Sequence, residues 1–266
     1  MKFSKRLSAI ILALIMGLSG AAVYANEAEE IHKPTNTLSQ HSDSSRIFVT
    51  ESFRQMEVDG LIFDVREEVH LDLSRNGQQD PFTFTSVSFA GDINTDRAEV
   101  IRALDKLGNE LAGGNVIAPR SWGWLSDSRS QRHGDGTFEV TFSDTTSVDA
   151  GFWEVRAFYD GRSSAMWTGF NPWTIDIMEL NDFVTFNGLA VSVSVGTSGG
   201  SVSGSGTSRT VEMRSQRNDA WLIQNFYTNL QASTNVALTS VEKRTEGVFR
   251  TGARNFFVNT HASSRW

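Results

Sequence analysis

Among the residue types that do chemistry, tryptophan shows the sharpest pattern in this chain. Five of its seven tryptophans, Trp122, Trp124, Trp153, Trp167 and Trp173, fall close together. Ser121-Trp122-Gly123-Trp124 sets two indoles on the same side of an extended segment, between small residues that leave their faces open. Trp167-Thr168-Gly169-Phe170-Asn171-Pro172-Trp173 does something similar in what reads as a loop. A flat aromatic face with a polar edge suits sugar rings and protein partners. The candidate ligand-binding residues are therefore Trp122, Trp124, Trp167 and Trp173, whereas Trp153 reads as core.

Catalytic patterns are weaker. The five histidines, His32, His41, His70, His133 and His261, never pair at ligand spacing, and the chain has no cysteine. No metal site and no cofactor are expected. His133-Gly134-Asp135-Gly136 reads as an ordinary turn before a strand. No Gly-x-Ser-x-Gly elbow is present for a serine nucleophile, and 31 acidic residues single out no pair for glycoside hydrolysis. No catalytic residue is assigned. The expected function is non-catalytic binding, with a hydrolase of unnamed carboxylates as a third reading.

Charge and export narrow the partners. The net charge is −7, which disfavours non-specific attraction to nucleic acid or anionic lipid. Residues 1–25 read as a secretory signal peptide: Lys2, Lys5 and Arg6, an apolar run over about 7–18, then Val23-Tyr24-Ala25, with the cut expected after Ala25. A lipid-modified signal needs a cysteine at the cut, which is lacking. Later apolar stretches are too short to span a bilayer as a helix. The expectation is a secreted, extracellular protein with no stable membrane anchor. Its partner would be a carbohydrate or protein of a cell surface or matrix.

The segments that carry and flank the tryptophans read as strands. Residues 26–45 are polar and aperiodic and read as a disordered leader. Alternation begins near Ile47 and continues through Leu61, Phe63 and Val65, then Val69 and Leu71. Phe82 and Phe84, then Val87 and Phe89, alternate with a one-residue phase slip that a bulge would absorb. Phe138, Val140 and Phe142 form another strand before a polar turn. Within residues 96–112, Val100, Leu104, Leu107 and Leu111 fit one helical face capped by Asp96, but Gly108 falls inside, at a cost of roughly 1 kcal/mol relative to Ala. A hairpin turning at 105–109 is the expectation taken, with one short helix as the alternative. The fold class is all-β and mostly antiparallel. Residues 46–170 form a β-sandwich domain, and 171–266 form a second β unit with a Gly/Ser-rich hairpin.

The run Asp149-Ala150-Gly151-Phe152-Trp153-Glu154-Val155, after the strand from Thr137, resembles the E-to-F corner of immunoglobulin-like domains. Trp153 stands in place of the corner tyrosine and Val155 in place of the cysteine. The resemblance spans about residues 137–167 and implies a sandwich, but no activity. Separately, residues 189–195 resemble one arm of the amphipathic hairpin of aerolysin-like pore-forming toxins, near the length of a spanning strand. That resemblance implies a pore-forming alternative using residues 189–213. In the return arm, 201–208, only Val202 is apolar.

Overall fold

The computed structural model describes residues 28–30, 37–39, 47–72, 81–89, 91, 95–111, 123–134, 136–150, 154–169, 175–193, 195 and 200–266. Residues 1–25, read above as a signal peptide, and Trp122, Trp153 and Trp173 lie outside these residues. The described chain is all-β with a single helix and purely antiparallel pairing, arranged as two packed sheets.

The first sheet contains β1 (Ala28–Glu30), β2 (Thr37–Ser39), β3 (Ile47–Val58), β4 (Leu61–Asp72), β5 (Phe82–Phe89), β6 (Gly123–His133), β7 (Gly136–Ala150), β8 (Val155–Trp167), β10 (Ser192–Val193) and β13 (Leu222–Thr234). Its strand order is β1-β3-β4-β5-β13-β8-β7-β6, with β2 also on β3 and β10 on β13. The second sheet runs β11 (Gly200–Ser203), β12 (Ser208–Asn218), β9 (Ile177–Leu189), β14 (Ala237–Thr251) and β15 (Arg254–Arg265). Residues beyond 170 thus supply the whole second layer. They also supply β13, which lies inside the first layer between β5 and β8.

Alternating side chains of the long strands fill the space between the sheets. On β7, Phe138, Val140 and Phe142 point inward, and the Phe138 ring lies 4.6 Å from Phe249 and 4.8 Å from Phe256 of the other sheet. The alternation continues through Asp144 and Thr146, both buried. The expected polar turn after Phe142 is therefore strand. Polar residues fill it because the interior at this level is polar.

Residues 97–111 form a helix, α1 (Arg97–Leu111), and not the hairpin expected. Asp96 caps it, its Oδ1 accepting from the backbone N–H of Ala98 at 2.8 Å. Val100, Ala103, Leu104, Leu107 and Gly108 form the buried face. Gly108 fits because its missing side chain admits a ring: a Cβ there would lie 2.5 Å from Phe226. Close packing outweighs the helix propensity that argued for a turn.

The helix also explains the phase slip in β5. No bulge interrupts that strand's pairing with β4 or β13. Phe82 and Phe84 belong to a cluster with Val184 and Phe186 of the second sheet, while Val87 and Phe89 cluster with Val100 and Leu104 of α1. Both faces are covered, so both carry apolar residues.

Three further expectations change. The immunoglobulin E-to-F corner carries the chain between sheets, but β7 and β8 pair as neighbours in one sheet, Phe138 opposite Trp167 and Ala150 opposite Val155. Within the segment read as a disordered leader, β1 and β2 each pair with β3. Backbone hydrogen bonds to an edge strand need no apolar side chains. The stretch 189–213 is not one hairpin. β9 ends at Leu189, Ala190 takes a left-handed φ of 53°, and Val191 and Val195 are buried. The return strand β12 pairs with β9 itself, from Ser208 opposite Asn187 to Asn218 opposite Ile177.

Candidate functional site

Two features of the sandwich can do chemistry: a groove on its outer surface and a polar band through its interior.

The groove lies on the outer face of the first sheet beside α1, with a volume of about 460 Å³. Strand alternation supplies its floor. Ser126 and Ser128 of β6, Thr141 of β7 and Ser164 of β8 face outward because Leu125, Val140 and Ala165 face inward. The Thr141 and Ser164 hydroxyls are hydrogen-bonded at 2.7 Å. Gln224 of β13 lines the groove with a buried Oε1 that has no hydrogen-bond partner among the described residues. Such an acceptor suits a ligand hydroxyl. Trp124 stands on the same face of β6, two residues before Ser126, and is 70% exposed.

Asp105, Asp127 and Glu139 line this groove, but Asp127 lies between the outward Ser126 and Ser128, opposite the inward Phe142, so its carboxyl turns to the other face of the sheet. Asp105 is paired with Arg162 at 2.8 Å. The backbone N–H of His261 donates to Asp127 at 3.1 Å and, with that of Ser128, holds its carboxyl below the usual range. That contact also joins β6 to β15 at one side of the sandwich. Glycoside hydrolysis needs two carboxyls facing one cleft, and the Asp127 carboxyl, held by β15, faces away from this one. Among the described residues, no three histidine, aspartate or glutamate side chains are grouped to hold a metal ion.

The interior band crosses the middle of the strands. On β9, Asp182 lies between Leu180 and Val184; on β13, Asn225 lies between Ile223 and Tyr227; on β14, Lys243 and Thr245 follow Val241. The apolar neighbours on either side belong to two separate clusters. Lys243 Nζ lies 2.6 Å from Asp182 Oδ1, both side chains at 0% exposure. Thr245 donates to the same oxygen at 2.8 Å. Ser163 and Asn225 donate to Asp182 Oδ2 at 2.6 and 2.8 Å, and Ser215 donates to Asn225 Oδ1 at 2.6 Å. Lys243 also donates to the Tyr227 hydroxyl at 2.5 Å and lies 4.3 Å from the centre of that ring.

Tyr227 in turn donates to Asp144 Oδ1 at 3.1 Å, and Tyr159 donates to Oδ2. Burial pushes the Asp144 carboxyl up to about 7, against the pull of Lys243 and of the tyrosine hydroxyls. Burial and the neighbouring Asp144 push both phenols well above their ordinary value. Gly161, opposite Asp144 on β8, leaves room for the carboxyl, since a Cβ there would lie 2.0 Å from Oδ1 and 2.7 Å from the Tyr227 ring. Gly161→Ala is therefore expected to destabilise the fold by about 1–3 kcal/mol, as overpacking does. Urea unfolding checks this, and an unchanged midpoint would place Asp144 elsewhere.

No protein-family model and no curated protein matches the chain. One solved structure, described as the complete structure of manganese lipoxygenase of Gaeumannomyces graminis and partial structure of zonadhesin of Komagataella pastoris, is 9% identical. The match covers 90% of this chain and 85% of that one, at a TM-score of 0.18. A score that low gives no basis for transferring fold or function.

Of the candidate tryptophans, Trp124 is exposed on the outer face of β6, two residues from the groove residue Ser126, while Trp122 and Trp173 lie outside the described residues. Trp167 is not a loop residue. It ends β8 facing inward at 0% exposure, its ring 4.7 Å from Phe138. His133 closes the β6–β7 hairpin, its ring 4.4 Å from Phe256. The interior band escaped the sequence reading. Its signal was a polar residue in phase with apolar ones, as Asp182 is with Leu180 and Val184.

Proposed function

We infer that this protein is a secreted binding protein that holds a carbohydrate of a cell surface or matrix in the outer groove. The single observation that carries the reading is the exposed Trp124 indole on the same strand face as the hydroxyls of the groove floor. Sugar rings present a C–H face that stacks on an indole and hydroxyls that need partners. Ser126, Ser128, Thr141, Ser164 and the unpaired Gln224 oxygen supply such partners. The pairing of Asp105 and the turn of the Asp127 carboxyl toward β15 favour binding over hydrolysis.

Trp124→Ala tests the reading. Its unfolding free energy is expected to stay within about 0.5 kcal/mol of wild type, as for other surface changes. Retention on insoluble polysaccharide or cell-wall preparations is expected to weaken by roughly thirtyfold, corresponding to a loss of about 2 kcal/mol at a stacked contact. Equal retention of variant and wild type, or no retention of wild type on any such surface, would overturn it.

A further inference from the structure

Lys243 and Asp182 occupy neighbouring strands of one sheet. Thr245 is opposite Asp182 and Lys243 opposite Val184, so the two side chains are diagonal neighbours on the inner face. Two ions this dry are costly to keep as ions. A condensation between them would remove both charges at once.

We propose that Lys243 and Asp182 are joined by a side-chain amide, a covalent link between β9 and β14 that the folded protein forms itself. The neighbouring groups have the placement that acyl transfer requires. Nζ lies 2.6 Å from Oδ1 and so stands beside the carboxyl carbon. Ser163 Oγ and Asn225 Nδ2 both donate to Oδ2, where negative charge develops when the amine adds. Ser215 fixes the orientation of the Asn225 amide. Oδ1, bonded by Thr245, is the departing oxygen. Tyr227 links Nζ to Asp144, a carboxyl that can take and return a proton near neutral pH.

The atoms balance without a further reactant. A proton first crosses from the Lys243 ammonium to Asp182 Oδ1, leaving a neutral amine and a carboxylic acid. The nitrogen lone pair forms the bond to Cγ, and the carbonyl π pair moves to Oδ2. The nitrogen lends a second proton through Tyr227 to Asp144, takes it back by the same route, and hands it to Oδ1 beside it. The Cγ–Oδ1 bond then breaks, its electron pair leaves with the oxygen as water, and the Oδ2 carbonyl re-forms. Of the three ammonium hydrogens, one stays on the amide nitrogen and two leave in the water.

Protein purified folded, incubated at neutral pH and then digested is read by tandem mass spectrometry. The expected result is a peptide containing residue 182 joined to one containing residue 243, lighter than the separate pair by one water. Asp144→Asn keeps both partners and is expected to form the linked peptide at least tenfold more slowly, with folding confirmed by near-ultraviolet circular dichroism. Lys243→Arg keeps a cation, and its expected result is no linked peptide. Wild type that yields only separate peptides overturns the proposal, as does water loss without a linked pair. A linked peptide formed equally fast in Asp144→Asn overturns the role given to that residue.

Discussion

Lys243→Met is expected to destabilise the folded chain by about 3–5 kcal/mol, the cost of leaving a buried ionic partner unmatched. The cause is local and specific. Asp182 is fully buried and keeps three donors, Ser163, Asn225 and Thr245, but loses the cation beside it. Pairing the change with Asp182→Asn removes the stranded charge and keeps a hydrogen-bonding side chain of the same shape. The double variant is expected to recover at least about 1 kcal/mol, read as a coupling term from urea unfolding of all four proteins in the cycle. Where the amide has formed, wild type gains further from closing the loop between positions 182 and 243, roughly 4 kcal/mol by chain entropy. A single-variant loss below about 1 kcal/mol would mean that water reaches the pair.

Raising the pH from about 5 to about 8 is expected to cost stability, the reverse of what a salt-bridged surface carboxylate does. Burial raises Asp144 from the ordinary 3.8 to about 7 in the folded protein. Between those values the folded state holds a proton that the unfolded chain has released. The contribution is therefore fully present below 3.8 and lost as the pH rises through about 7. The full difference is on the order of 4 kcal/mol, at 1.36 kcal/mol per unit. Tyr159, Tyr227, Lys243 and Asp182 face this carboxyl, and the phenols stay protonated throughout because their values are raised. Urea midpoints at the two pH values measure the effect, and Asp144→Asn is expected to flatten it. A wild-type midpoint that is level or rises with pH contradicts the buried, protonated carboxyl.

The order of residues specifies an all-β, antiparallel chain, because strict alternation at Phe138, Val140 and Phe142, or at Phe63 and Val65, has one physical reading, and the lack of cysteine specifies a fold without disulfides. It also marked Trp124 as an open indole, since its neighbours are small. The rest depends on three-dimensional packing, in each case because a segment distant in the chain supplies the reason. Gly108 sits in a helix because Phe226 fills the space beside it. The two faces of β5 are both apolar because α1 covers one and the second sheet the other. Trp167 is core because β8 turns it toward Phe138, although its polar neighbours in sequence suggested a loop. Asp144, Asp182 and Lys243 are ordinary charged residues along the chain. They become a buried reactive band only when β7, β9 and β14 place them at one level of the sandwich, a proximity that strand alternation alone cannot specify.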